Sequence, residues 1–400
     1  MLALEGVQIL DFTWQGPGPF CTMSLGDFGA EVIRVGAPPA AGARQKAKEM
    51  SKKAVAHQAS SRNKKSILLN LKSEEGRNVF NKLAKKADVI LEGFRPGVAE
   101  RLGIDYQTLA KINPKIIYCS ISGYGQDGPY RDLSGHDINY ISIGGALNLI
   151  GEADRHPIIP LNLIADYGAG AKDAVIGILT ALIARGKTGK GQYIDISLTD
   201  SVISLLNQTV LEDYFYSGEL PERGGHDLSG GYPYYNIYQT RDGKFITIGC
   251  LEPWLWENLC REIGKEEFIP FNWARECISD PAEDRKWEEI SAYLKQLFLT
   301  KTRDEWFELL SQKDIPIGKV YSLDEVFTDP QVVHRKMVIE VEHPTEGKVK
   351  QVGIAIKLSD TPGKVRSLPP EVGEHTNEIL AGLGCNEQVI ERLRKDGVIG

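Results

Sequence analysis

The residues able to do chemistry lie in a few short stretches of this chain. Ser134-Gly135-His136-Asp137-Ile138-Asn139-Tyr140 sets a histidine between a glycine and several hydrogen-bonding side chains. An imidazole there can accept or donate a proton near neutral pH, although as a bare motif His136 reads equally as a satisfied structural residue. Asp166 stands ahead of an apolar helical pattern, where an aspartate is a good N-cap for the first N–H groups of a helix. Glu252 precedes Pro253 at the head of another helix, an ordinary place for an acid before a proline at the first helical position. Cations gather near strand ends: Arg34, then Arg62, Lys64 and Lys65, then Arg95 within Glu92-Gly93-Phe94-Arg95-Pro96-Gly97. In an open α/β sheet, groups just past the carboxyl ends of the strands line the ligand crevice, and guanidinium or ammonium groups there clamp phosphates. The plain alternative is a solvated charged face.

Other chemistries fit less well. Gly16-Pro17-Gly18-Pro19 follows the first strand, as a dinucleotide-binding turn would. However, Cys21 takes the third glycine position, two prolines remove N–H donors, and the next strand ends in Gly36 rather than an acid. A nicotinamide cofactor is therefore not expected. The six cysteines form no C-x-x-C pair and the seven histidines no H-x-x-x-H cluster, so the sequence predicts buried, reduced thiols and no metal site.

The elements that must position these groups alternate in type. Residues 7–12, 31–35, 67–71, 89–91, 116–121 and 193–196 read as strands, with helices over 20–28, 73–86 and 166–185 between them. Such alternation implies parallel strands joined by crossover helices. A long helix over 200–216 then leaves this domain. Beyond it, the apolar runs 235–238 and 245–248 flank Asp242-Gly243, a strong hairpin signal that opens a smaller α+β domain with helices over 254–263, 287–298 and 303–312. A second hairpin joins 338–341 to 349–356, and helices over 378–383 and 386–395 close the chain. Residues 37–53, rich in Ala, Pro and Lys, read as a mobile surface loop.

With 400 residues, 25% charged and 42% hydrophobic, the chain has an ordinary globular composition. A net charge of −7 argues against sequence-independent nucleic-acid binding. The N-terminus carries no secretory signal pattern, and the longest apolar stretch, around 174–184, falls short of the ~20 residues a membrane crossing needs, so it reads as a buried helix. The expectation is a cytoplasmic protein with neither nucleic-acid nor membrane partners.

Taken in order, Gly16-Pro17-Gly18-Pro19, Gly26-Asp27-Phe28-Gly29-Ala30-Glu31-Val32-Ile33-Arg34-Val35, Glu92-Gly93-Phe94-Arg95-Pro96-Gly97 and Gly123-Tyr124-Gly125-Gln126-Asp127-Gly128-Pro129 resemble the class III CoA-transferase (CaiB/BaiF) superfamily. The resemblance runs from about residue 4 to 399. Gly135-His136-Asp137-Ile138-Asn139-Tyr140, Asn162-Leu163-Ile164-Ala165-Asp166-Tyr167-Gly168, Pro233-Tyr234-Tyr235 and Leu251-Glu252-Pro253 are most similar to its α-methylacyl-CoA racemase branch.

The resemblance implies a Rossmann-like large domain, a smaller α+β domain, and two chains threaded as interlocked rings in a homodimer. On this chain it implies a large domain in 1–200, a helical linker in 201–225, a small domain in 226–315 and a return through 316–400 that completes the large domain. It also implies an acyl-CoA substrate, with coenzyme A entering as part of that substrate and no separate cofactor. His136, Asp166 and Glu252 match the catalytic positions, with Arg34 and Arg95 on CoA phosphates and Lys64, Tyr140 and Asn162 among the substrate-binding residues. His136 and Asp166 would exchange the α-proton of a 2-methylacyl-CoA through an enolate held by N–H groups of the helix starting near Asp166, with Glu252 orienting His136.

Two alternatives stay open. In the first, a CoA-transferase uses Asp166 as a nucleophile through an aspartyl-CoA thioester and needs neither His136 nor Glu252. A long 37–61 stretch and the total length favour it; the absence of a run of consecutive glycines in the small domain opposes it. The second is a non-catalytic CoA-binding paralogue whose acids merely cap helices. Trp14, Tyr140, Tyr234 and Tyr235 read as pocket lining or as core, and the acyl group is left undefined.

Overall fold

The structure, a computed structural model, describes residues 1–38, 58–272, 281–343 and 346–400. Its first unit comprises residues 1–144, 161–205 and 329–400. Within it run β1 (Gln8–Asp11), α1 (Pro17–Asp27), β2 (Glu31–Gly36), β3 (Lys64–Leu68), α2 (Glu74–Ala84), β4 (Val89–Glu92), α3 (Val98–Leu102), α4 (Tyr106–Ile112), β5 (Ile117–Ser122), α5 (Asp137–Ile143), α6 (Leu163–Thr188), β6 (Tyr193–Ser197) and α7 (Leu198–Leu205).

The strands pair in parallel in the order β3-β2-β1-β4-β5-β6. This is the Rossmann order, with its reversal between β1 and β4, although the turn after β1 lacks the dinucleotide fingerprint. Crossover helices cover both faces, so the inner strands are apolar runs buried on both sides: Ile9, Leu10, Val89, Ile90 and Leu91 have no exposed surface. Ser73 caps α2 by accepting the Gly76 N–H, as the sequence indicates. Strand β3 starts at Lys64, earlier than its apolar run suggests, because the Lys64 side chain is itself buried. The last residues of the chain return to this edge: the His375 N–H donates to Ser66 O and the Asn70 N–H to Val398 O. An antiparallel hairpin, Val338–His343 with Gly347–Val352, also belongs to this unit.

Helix α6 corrects one expectation. It begins as a π-helical segment, Leu163–Ala171, and continues to Thr188, giving 26 residues that are long and apolar enough to cross a membrane by length and composition. The apolar run in the sequence looks shorter because the polar residues Asp166, Lys172 and Asp173 interrupt it. Here the helix packs on α1, β5 and β6 through Ala174, Ile178 and Ala181, while Ile176 and Ile183 stay exposed.

The second unit comprises residues 145–160 and 206–328. Its sheet is β7 (Tyr235–Gln239), β8 (Phe245–Gly249) and β9 (Ile317–Lys319), all antiparallel. Gly243, at φ +74°, turns the β7–β8 hairpin. Helices α8 (Pro253–Glu262), α9 (Pro281–Phe298) and α10 (Arg303–Leu310) bury Trp256, Leu259, Phe298 and Trp306 against Tyr234, Tyr238 and Ile248. Tyr234 is thereby core. The Arg303 guanidinium grips both carboxylate oxygens of Glu325 at 2.8 and 2.9 Å, closing this unit after α10.

Of the cysteines, Cys21, Cys119, Cys250 and Cys260 are buried free thiols. Cys385 is half-buried, since it lies in the turn between two terminal helices, and Cys277 lies outside the described residues. Most of the 37–53 stretch, expected as a surface loop, lies outside them too.

Candidate active site

The loops that follow β1, β4 and β5 leave the sheet at its carboxyl edge, beside the reversal of strand order where open α/β sheets bind ligands. The loop after β1 is anchored from inside. Asp11 is fully buried and accepts from Thr13 N at 2.9 Å, Thr13 Oγ1 at 2.5 Å and Thr22 Oγ1 at 2.6 Å. Lys64 Nζ lies 3.2 Å from Asp11 Oδ2 and also donates to Pro19 O at 3.1 Å and Thr22 Oγ1 at 2.7 Å. Burial alone would raise the Asp11 pKa, but the Lys64 charge and these hydrogen bonds outweigh it and hold the carboxyl below its usual range. Lys64, expected on the substrate, is therefore drawn inward: its side chain is only 1% exposed and its ammonium supports the turn at residues 16–19.

That turn meets Asp166. Gly16, at φ +65°, approaches so closely that a Cβ there would sit 3.2 Å from Asp166 Oδ2. Asp166 does not cap its helix, contrary to the sequence reading. Helix α6 starts three residues earlier, and the first turn contains Asp166. Its carboxylate receives the Asn162 Nδ2 hydrogen at 3.0 Å, and its backbone N–H donates to Asp137 Oδ2 at 2.9 Å. That N–H is consequently taken and is not a donor for an enolate. Burial, and then the charge of Asp137, raise the Asp166 pKa against the opposing effects of Asn162 and His136.

His136 occupies the N-cap position of α5 in extended conformation. Its N–H donates to Asn139 Oδ1 at 3.0 Å, the Asn139 N–H donates back to His136 O at 2.8 Å, and the residue is exposed. The imidazole is therefore not turned into the interior, and its charge reaches Asp166. Tyr140, expected on the substrate, is only 8% exposed. Its ring fills the space left by Gly123 and Gly135, and its hydroxyl donates to Gly135 O, so it braces the backbone leading into His136. Burial pushes that hydroxyl up to about 12.

Of the expected cations, Arg95 is exposed and donates from Nη2 to Ser134 Oγ at 2.8 Å, two residues before His136. Arg34 lies within β2 with its guanidinium 5.3 Å from the ring centroid of the exposed Trp14. His136, Asp166, Asn162 and Arg95 thus gather on the loops and helix starts of the first unit. Glu252 belongs to the second unit, where it is the N-cap residue of α8, and its carbonyl accepts the N–H groups of Leu255 and Trp256.

Sequence reasoning passed over Asp137, Gly16 and Asp11 as site residues. It also missed Glu92, buried at the end of β4 between the Ser120 hydroxyl and the Phe94 N–H. Burial raises its carboxyl to about 7, beside a cavity of about 300 Å³ lined by Arg95, Tyr106, Tyr118, Gln126 and Tyr193. For Asp137 and Asp11, the legible signal was a single acid amid apolar or hydroxyl-bearing neighbours.

Comparison with known proteins gives a consistent picture. A model of CoA-transferase family III matches residues 4–376. The chain is 33% identical to α-methylacyl-CoA racemase of Homo sapiens over all of this chain and 98% of that protein. It is 35% identical to formyl-CoA:oxalate CoA-transferase of Bradyrhizobium diazoefficiens over 99% of this chain and 97% of that protein. Among solved structures, a CaiB/BaiF family protein from Brucella suis superposes with a TM-score of 0.79 at 30% identity, covering 96% of this chain and 99% of that one.

Proposed function

Because the chain belongs to CoA-transferase family III, we propose that it racemises 2-methylacyl-CoA or a related 2-substituted acyl-CoA, with His136 and Asp166 as the catalytic pair. One observation carries the reading: Asp137, next in sequence to His136, hydrogen-bonds the amide of Asp166, so the two candidate groups start from points one contact apart. The imidazole is exposed and the carboxylate half-buried, as both must be to reach one substrate carbon.

The chemistry follows from those groups. In one direction the Asp166 carboxylate takes the α-proton, the C–H electron pair moves into the thioester as an enolate, and the imidazolium of His136 returns a proton to the opposite face. The reverse direction exchanges the roles. A carboxyl whose proton affinity is raised from its ordinary value is a better base for so weak an acid. Amides in the first turn of α6, other than that of Asp166, are the fixed donors assigned to the enolate oxygen. Arg34 and Arg95 are assigned to CoA phosphates, and Asn162 holds Asp166 in its working rotamer. Glu252 enters as the acid that stabilises the protonated imidazole, and the interlocked homodimer forms part of the proposal. Exposed Ile176 and Ile183 on α6 support burial of this face by a second copy. No cofactor other than the CoA of the substrate enters.

CoA transfer between acids is the second reading, favoured by Gly16, which places no side chain over Asp166 Oδ2 and so leaves it open to a thioester carbonyl. The test is incubation with one enantiomer of a 2-methylacyl-CoA in deuterated water without any added acid. Racemisation predicts deuterium at the α-carbon and loss of optical purity. Absence of exchange, with CoA passed to an added carboxylic acid and a hydroxylamine-trapped Asp166 adduct, overturns it in favour of transfer.

A further inference from the structure

We propose that Asp137 is the positioning residue of this site, its buried carboxylate seating the amide of Asp166 and thereby fixing the separation between that acid and the imidazole of His136. The inference rests on the reading of His136 and Asp166 as a working pair.

A single hydrogen bond of 2.9 Å, from Asp166 N to Asp137 Oδ2, ties the start of α5 to the first turn of α6 across 29 residues of sequence. Since His136 and Asp137 are consecutive, a shift of this contact moves both reacting groups relative to each other. Asp137 is only 3% exposed, and its second oxygen, Oδ1, is buried without a hydrogen-bond partner among the described residues. Seating one amide needs only a neutral acceptor, and burying a half-satisfied charge is costly. The charge therefore calls for a use of its own.

Its neighbour supplies that use. Burial and the Asp137 charge both raise the proton affinity of Asp166, against Asn162 and His136. The largest charge effects on Asp166 come from Asp137 and His136 at the start of α5, and Tyr140 on the same helix responds to Asp166 and to Arg95 in turn. Cys21 and Asp27 of α1, Asp200 of α7, and Lys172 and Asp173 further along α6 are the other titratable groups on elements packed against it, and none ranks among the main influences. Asp137 thus sets where Asp166 stands and how strongly it holds a proton.

Two variants of the full chain, Asp137→Asn and Asp137→Ala, test this. The readouts are kcat and KM for α-proton exchange against pH, together with the pH midpoint at which a carbodiimide and an amine label Asp166, read by peptide mass spectrometry. Asp137→Asn keeps an acceptor for the Asp166 amide and loses the charge. Its kcat should stay within about tenfold of the parent, while the low-pH limb and the labelling midpoint both move to lower pH. Asp137→Ala loses the seat as well, and its kcat should fall about 100-fold with KM changed less than about threefold, a loss that Asn restores. A purely structural role predicts instead unmoved midpoints and losses that follow the folded fraction.

An unmoved limb and midpoint in Asp137→Asn, or parental kcat in Asp137→Ala, overturns the proposal. Should the parent transfer CoA without exchanging deuterium, the racemase reading fails, while Asp137 is judged by the same two variants on the transfer rate. If the Ala variant does not fold, or the parent turns over neither substrate, the Asp166 labelling midpoint in Asp137→Asn decides alone.

Discussion

Two carboxylates bear on the turn at residues 16–19, Asp11 through Lys64 and Thr22 and Asp166 beside Gly16, and they have opposite fates. Asp11 is fully buried, yet Lys64, Thr13 and Thr22 hold its pKa down. Asp166 is only half-buried, yet its pKa is raised, because burial is joined by the like charge of Asp137 and opposed only by Asn162 and His136. Depth of burial alone does not separate them; Lys64 and the hydrogen bonds from Thr13 and Thr22 outweigh it at Asp11, whereas Asn162 and His136 do not outweigh burial and the Asp137 charge at Asp166. A buried carboxylate with a buried ammonium acts as a bolt that fixes the turn, whereas a carboxylate beside another carboxylate is left poised to take a proton.

The comparison breaks first at Asp166. Replacing it by Asn should cut α-proton exchange by about 10²–10⁴-fold, the usual contribution of one general acid or base. The same change removes a carboxylate whose raised pKa makes ionisation less favourable in the fold than in the unfolded chain, so Tm at neutral pH should rise rather than fall, as calorimetry would show. A lower Tm would mean that Asp166 is structural like Asp11.

Lys64→Met reverses that pattern. It strands Asp11 without its buried partner and should cost about 3–5 kcal/mol in urea unfolding, with loss of activity only through loss of folded protein. A fall in kcat at full folding would assign Lys64 to the chemistry after all.

Between the two lies the turn itself. Gly16→Ala forces a side chain into a positive-φ position and toward Asp166 Oδ2, at a cost of about 1–3 kcal/mol in stability. Exchange should fall about tenfold beyond that from the crowded carboxylate, measured as kcat on the folded fraction.

The smallest effect is in pH. Asp11 has a depressed folded pKa, so its contribution is complete above the unfolded carboxyl value of about 3.9 and is lost as pH falls through the lower folded value. Asp166 works in the other direction, its contribution declining as pH rises from that same value to its raised folded one. Acid unfolding of the parent should therefore steepen below about pH 4, and Lys64→Met should lose that steep limb. An unchanged limb in the variant would show that the buried pair does not govern acid stability.

Much of the scaffold was legible in the chain. Apolar runs of strand length separated by helical patterns gave the parallel sheet, because each strand buried on both faces must be apolar throughout and each crossover must cover a face. Asp242-Gly243 marked the β7–β8 hairpin, since a glycine there supplies the positive φ. Ser73 marked the start of α2 for an equally local reason. The candidates His136, Asp166 and Arg95 stood out in local motifs and Asn162 through the family resemblance, and all four lie on loops and helix starts of one unit.

What the sequence alone determined, then, is what local backbone preference and hydrophobic period can encode: the strands, their crossovers, the turns and the types of group available. The tertiary structure decided which charge faces which. Lys64 and Arg34 look alike in the chain, but pairing across β2 and β3 buries one against Asp11 and leaves the other stacked on Trp14. Asp166 looked like a helix cap until the first turn of α6 formed upstream of it and Asp137 took its amide. Electrostatic work depends on distances between residues far apart in sequence, and only folding fixes those distances.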